Sequence, residues 1–186
     1  MIALAIAGVI VLLIAVYVMT AYNALIRGRN LVKESWSGID VQLKRRHDLI
    51  PNLVNTVKGY AKHEQDTLVQ VTEARASAAN ARQKGDVAEI QRAENALAST
   101  LKSLFAVAES YPDLKASANF MHLQEQLTGI EEELQLARRY YNGTARNQNN
   151  RIEQFPGNIV AGMFRFEKPA YFEVAEAERE NPAVTF

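Results

Sequence analysis

Ile39–Glu64 reads IDVQLKRRHDLIPNLVNTVKGYAKHE, and the fold turns on whether Pro51 ends a helix inside it. Lys44, Arg45 and Arg46 suit the C-terminal end of a helix, where cations oppose the negative pole of the dipole. Asp48 can cap a new helix. Pro51 then falls in the first turn, where its missing N–H would be unpaired anyway. The stretch therefore favours a hairpin, one helix closing at Arg46 and the next opening near Pro51, over a single helix kinked at Pro51. Around that corner the basic run is expected to pair with acids such as Asp40 and Glu64.

Working outward toward the N-terminus, every residue from Ile2 to Met19 is apolar, Tyr or Gly, and the first charge is Arg27. Eighteen helical residues span roughly 27 Å, against a bilayer hydrocarbon core of about 30 Å. Eleven of the eighteen are Ile, Leu or Val, each favouring insertion near the bilayer centre by about 0.3 to 0.6 kcal/mol. A cleaved signal peptide is disfavoured, because no Lys or Arg precedes the run and no small-x-small cleavage site follows it. Arg27, Arg29 and Lys33 lie just past the span, so the positive-inside rule puts the body in the cytoplasm and the N-terminus outside. No Pro interrupts Ile2 to Asp48, so span and first body helix are expected to form one rod.

Toward the C-terminus, apolar residues keep helical spacing to about residue 150. Leu25, Val32, Trp36, Ile39 and Leu43 mark the first helix; Leu53, Val57, Leu68, Val71 and Ala78 mark the second. Gly85 fits a left-handed stop, and Asp86-Val-Ala-Glu89 is a capping box. The third helix carries Ile90, Leu97, Leu101, Leu104 and Ala108, with Glu94 breaking the stripe. Ser110-Tyr-Pro112-Asp113 is a turn and restart. Phe120, Leu123, Leu127, Ile130, Leu134, Ala137, Tyr141 and Ala145 then mark a long fourth helix that tolerates Gly129 and Gly143. The expected fold is all-α: a transmembrane anchor over residues 1–26, an antiparallel four-helix bundle over 27–153, and an irregular apolar tail over 154–186. The first helix is expected to be shorter than the second and fourth. The tail either folds back on the bundle or forms a surface for self-assembly or a partner.

Composition excludes several functions. Lys plus Arg and Asp plus Glu are balanced at 21 each, which argues against nucleic acid as a partner. Cysteine is absent, removing disulfides, thiolate chemistry and a lipoprotein attachment site. His63-Glu64 begins like a zinc-protease helix, but Thr67 stands where the second His is required. His47, His63 and His122 lack metal-ligand spacing and are expected at the surface or its boundary. Gly157 and Gly162 have phosphate-loop separation, but Met163-Phe164 replace the Lys and hydroxyl. Glu131-Glu-Glu133 is expected to be a solvated face. No catalytic, cofactor-binding or metal residue is therefore assigned, and no cofactor is expected.

Several segments resemble the bacterial LemA family. They are Trp36-Ser-Gly-Ile-Asp-Val-Gln-Leu-Lys-Arg-Arg46, Asp48-Leu-Ile-Pro-Asn-Leu-Val54, Val57-Lys-Gly-Tyr60, His63-Glu64, Tyr111-Pro-Asp-Leu-Lys-Ala116, Tyr141-Asn142, Phe155-Pro156 and Val184-Thr-Phe186. The resemblance covers nearly the whole chain. One departure is Arg165, between Phe164 and Phe166, where a Gly is expected. The resemblance implies a single-pass protein of the inner membrane with a cytoplasmic helical bundle and no established catalytic residue. Some relatives take part in building intracellular membrane compartments. The expectation is thus a membrane-anchored scaffold, self-assembling into a homo-oligomer and held in the lipid bilayer by residues 2–26. The competing expectation is an adaptor or signalling module for a membrane protein partner such as a protease or sensor kinase.

Overall fold

The computed structural model describes residues 1–172 and contains, among them, six helices and no strand. They are α1 (Ile2–Tyr60), α2 (Gln65–Lys84), α3 (Val87–Ala108), α4 (Pro112–Lys115), α5 (Ala118–Glu153) and α6 (Gly157–Met163). The apolar end of the tail, Asn181–Phe186, lies outside the described residues.

The hairpin expected at Pro51 does not form. One helix of 59 residues runs from Ile2 through Pro51 to Tyr60. A Pro inside a helix leaves the carbonyl four residues back without its N–H partner, here that of His47. That carbonyl accepts instead from Arg75 Nε on α2, at 2.8 Å. Packing supplies the other part of the explanation. Ile39, Leu43, Ile50, Leu53, Val57 and Ala61 are all buried, so a single stripe passes through Pro51 without a change of phase. Burying each Leu, Ile or Val side chain is worth about 1.5–3 kcal/mol, which together outweighs the roughly 3 kcal/mol a Pro costs inside a helix. The corner moves to Ala61–Glu64, at the far end of the opening stretch. The expected length order is reversed with it: the first helix, expected to be shorter than the second and fourth, is the longest at 59 residues, against 20 for α2 and 36 for α5.

The other boundaries follow their local signals. Gly85 adopts φ 78°, and its N–H reaches Ala81 O as α2 closes. Asp86 accepts a hydrogen bond from Glu89 N at 2.8 Å, the N-terminal cap of α3. Pro112 occupies the first turn of the short α4, and α5 continues through Gly129 and Gly143 to Glu153.

The chain divides into two compact units. One consists of Ile39–Arg138 with Phe172. Its core joins Leu53 and Val57 of α1, Leu68 and Val71 of α2, Leu97 and Leu104 of α3, and Phe120 and Leu127 of α5. Glu64, just before α2, accepts from the Tyr111 hydroxyl at 3.1 Å, tying the α1–α2 corner to the turn before α4.

The other unit consists of Met1–Gly38 and Arg139–Tyr171. A buried polar seam joins α1 to α5 within it. Ser35 Oγ and Thr144 Oγ1 lie 2.8 Å apart, and Gln148 Nε2 donates to Leu25 O at 3.2 Å. Gly28 makes the second contact possible, since a Cβ there would sit 1.9 Å from Gln148 Oε1. Trp36 packs edge-on against Tyr141, with ring centroids 5.3 Å apart. The tail, expected to be irregular, instead forms α6 over Gly157–Met163, and it folds back in part here. Val160 and Ala161 of α6 pack with Leu25 and Ile152, against Val18, Ala21 and Tyr22.

Candidate functional site

Two features stand out from ordinary packing. The first is the N-terminal part of α1, where the large apolar side chains from Ile2 to Tyr17, and Met19, are exposed. It is long and apolar enough to cross a membrane, and none of its apolar window is buried by the other described residues.

The second is a charged cluster within the Ile39–Arg138 unit. Glu94 occupies the middle of the α3 apolar stripe and is fully buried, with Arg46 and His47 of α1 facing it. His47 Nε2 lies 2.8 Å from Glu94 Oε1, and Arg46 Nη1 lies 3.8 Å from Glu94 Oε2. Arg46 Nη2 also reaches Glu131 Oε2 at 3.4 Å, and Arg138 Nη1 reaches Glu131 Oε1 at 3.8 Å. Arg138 in turn stacks over the Phe172 ring, its Cζ 4.7 Å from the centroid. The links alternate in sign from Glu94 through Arg46 and Glu131 to Arg138. Among the described residues neither Glu94 oxygen nor either His47 nitrogen makes an aligned hydrogen bond, so the 2.8 Å approach is a close polar contact without linear geometry.

Several expectations about this region are corrected. Arg46 does not pair with Asp40 or Glu64. Asp40 binds Arg82, with Oδ1 2.7 Å from Nη2, while Glu64 takes the Tyr111 hydroxyl. His47 is buried, not at the surface or its boundary. Glu131 is half-buried and ion-paired, unlike Glu132 and Glu133, which are exposed. The reason is common to all three. Once α1 continues past Arg46, residues 43, 46, 47 and 50 fall on its buried stripe, and Glu94 supplies the charge they require. The interruption of the α3 stripe at Glu94 was the signal for the cluster, read beside a basic residue on the facing helix.

The cluster borders a groove of about 650 Å³ between α3 and α5, lined by Arg46, Lys102, Phe105, Gln124, Glu131 and Gln135. A second groove of about 650 Å³ is mainly apolar and includes Val54, Leu68 and Val69 with Lys58 and Lys62. Among the described residues no group of three or more His, Cys, Asp or Glu is placed to hold a metal ion. What the cluster can do chemically is fix charges. A buried carboxylate flanked by cations stays in place only while its partners do, and removing one partner of such a set typically costs about 3–5 kcal/mol.

A chain whose described residues form helices and no strand, with an exposed, membrane-length apolar segment and a polar network inside its core, belongs to the class of membrane-associated helical proteins. The model of the LemA family matches residues 35–186, and the chain belongs to that family. It is 29% identical over 158 residues to Protein LemA of Metamycoplasma hominis, covering 84% of this chain and 71% of that protein. It is also 22% identical over 187 residues to Magnetosome protein MamQ 2 of Paramagnetospirillum magneticum, covering 88% of this chain and 68% of the relative. Magnetosome protein MamQ of Magnetospirillum gryphiswaldense is 21% identical over the same length.

Proposed function

We propose that this chain is a membrane-anchored helical scaffold that self-associates, with a role in organising or remodelling membranes. The observation that carries the reading is α1 itself. One helix holds both the exposed apolar segment and core residues as far as Val57, with no linker between them. Such a helix fits a structural part better than a tethered, mobile module. In this reading residues 2–26 cross the inner membrane. Arg27, Arg29 and Lys33 keep the folded part in the cytoplasm, and the four long helical stretches pack as an antiparallel bundle. The matches to proteins named for the magnetosome support a part in membrane organisation.

The proposed role is non-catalytic. His47 approaches Glu94 inside the core beside Arg46, which suits register between helices better than proton transfer to a bound substrate. Native mass spectrometry of the full-length protein in detergent, with and without residues 173–186, tests the assembly. A defined oligomer is expected, and a strict monomer in both forms sinks the proposal.

The groove at Val54, Leu68 and Val69 favours a second reading, an adaptor that seats a segment of another membrane protein. Cross-linking in cells from a probe at Val69 separates the two. Capture of copies of this chain alone counts against an adaptor.

A further inference from the structure

We infer that α6 and the turn before it form a second, interfacial membrane contact, seated where the hydrocarbon core gives way to lipid headgroups. The inference rests on the reading of Ile2–Ile26 as a span. Ile159 and Met163, four apart on α6, share one outward face with relative exposures of 55% and 66%, and Phe155 in the preceding turn is exposed at 79%. The opposite face, Val160 and Ala161, is buried. From Gln154 to Phe164 there is no charge; Arg151, Arg165 and Lys168 flank the run together with Glu153 and Glu167, and Lys168 is paired with Glu153 at 2.6 Å, which leaves Arg151 and Arg165 as the cations at its two ends. An uncharged apolar face bordered by a small excess of cations suits a helix lying in the plane of a bilayer surface.

Position decides the occupant. α6 packs on α1 at Val18, Ala21 and Tyr22, and the preceding turn shares a small groove with Tyr17 and Thr20. Twenty helical residues counted from Ile2 end at Ala21 and cover about 30 Å, the thickness of the hydrocarbon core. The outward face of α6 therefore lies beside the last turn of the span, continuous with a surface already covered by lipid. Tyr22 and Phe164 meet with ring centroids 4.6 Å apart, and Arg29 lies over Phe166 at 5.6 Å. Aromatic rings with nearby guanidinium groups suit the headgroup level. The partner is the bilayer that holds the span, and not a second protein.

The chain has no cysteine, so single labels can be placed without removing native ones. The full-length protein carrying Ile159→Cys or Met163→Cys is labelled with an environment-sensitive fluorophore. It is then reconstituted into phosphatidylcholine–phosphatidylglycerol vesicles. Lipid spin-labelled near the headgroup end of the acyl chain is expected to quench both sites several-fold more than Gln70→Cys on α2, and aqueous iodide to quench them less. Labels at 159 and 163 as open to iodide as the one at 70 overturn the inference. So does self-quenching that unlabelled protein dilutes away without any lipid quenching, since the face would then be covered by a second copy. Leu13→Cys, quenched by lipid while 159 and 163 are not, shows the span intact and α6 alone misassigned; an unquenched Leu13→Cys overturns the span and the inference together.

Discussion

Removing Arg75 should be costly only while Pro51 is present. Pro51 cannot donate to His47 O, and Arg75 Nε fills the vacancy at 2.8 Å in a half-buried setting. A hydrogen bond from a charged donor is worth about 1.5–3 kcal/mol, and an orphaned buried carbonyl costs a similar amount. Arg75→Met keeps the aliphatic stem but removes the donor, so it should destabilise the wild type by about 2 kcal/mol. In Pro51→Ala the backbone N–H of residue 51 is restored and can bond His47 O along the helix. Arg75→Met should then cost less than about 1 kcal/mol, because the carbonyl keeps a partner. Pro51→Ala alone should stabilise, by up to the roughly 3 kcal/mol that separates Pro from Ala inside a helix. Chemical denaturation of the four full-length variants in one detergent, followed by far-UV circular dichroism, completes the cycle. The expected coupling is about 1 kcal/mol. Additivity within about 0.5 kcal/mol would mean that the two residues act independently and would refute this account of how α1 tolerates Pro51.

Other substitutions probe the remaining features. Arg165 is a non-Gly residue with positive φ, at 54°, where the family resemblance leads one to expect Gly. Arg165→Gly should raise stability by about 1 kcal/mol, since the left-handed conformation costs an L-residue roughly 1–2 kcal/mol; a melting temperature unchanged or lowered contradicts this. Glu94→Ala should destabilise by about 3–5 kcal/mol by removing the buried carboxylate that faces Arg46 and leaving it only the half-exposed Glu131, whereas Glu94→Leu combined with Arg46→Met should recover most of that loss. Equal losses in the single and double variants would exclude an electrostatic origin. Tyr141 donates to Ala170 O at 2.8 Å, and burial pushes its phenol above the ordinary value. Its folded-state pKa is raised, so its contribution to stability is complete below the unfolded value of about 10 and is lost as pH climbs beyond it. Tyr141→Phe should flatten that alkaline decline in a denaturation series, and an unaltered slope would assign the decline to other groups.

What could be read in the sequence depended on how far apart the deciding atoms lie. The α2–α3 boundary needs only Gly85 and the Asp86–Glu89 pair, and it was legible residue by residue. The apolar positions of α3 and α5 were also legible, because helical period is a local property. The Pro51 region was not. Its outcome depends on Arg75, 28 residues from His47, and on packing that runs through the whole stripe. Local capping rules gave Asp48 and Pro51 a helix start that tertiary contacts overrode. The true corner at Ala61–Glu64 carries a weaker mark, since Glu64 makes no side-chain cap. Arg46 and His47 were misplaced for the same reason, and Glu94 was noticed only as an interruption. Arg165 was noticed only as a departure from an expected Gly, and the structure gives that position the positive φ that a Gly would adopt freely.

The unbroken passage of α1 from Met19 to Leu25 also sets an angular phase. Leu25 and Gly28 are held against Gln148 by the polar seam, so the rotation of the apolar segment about its own axis is fixed from below. Each helical residue advances that rotation by about 100° and the height by about 1.5 Å. One residue inserted near Asn23 would therefore turn a different side of the span toward α6, whereas seven would return nearly the original side, about 20° out of step. The span is keyed, like a threaded shaft, and which of its sides faces lipid is decided outside the membrane.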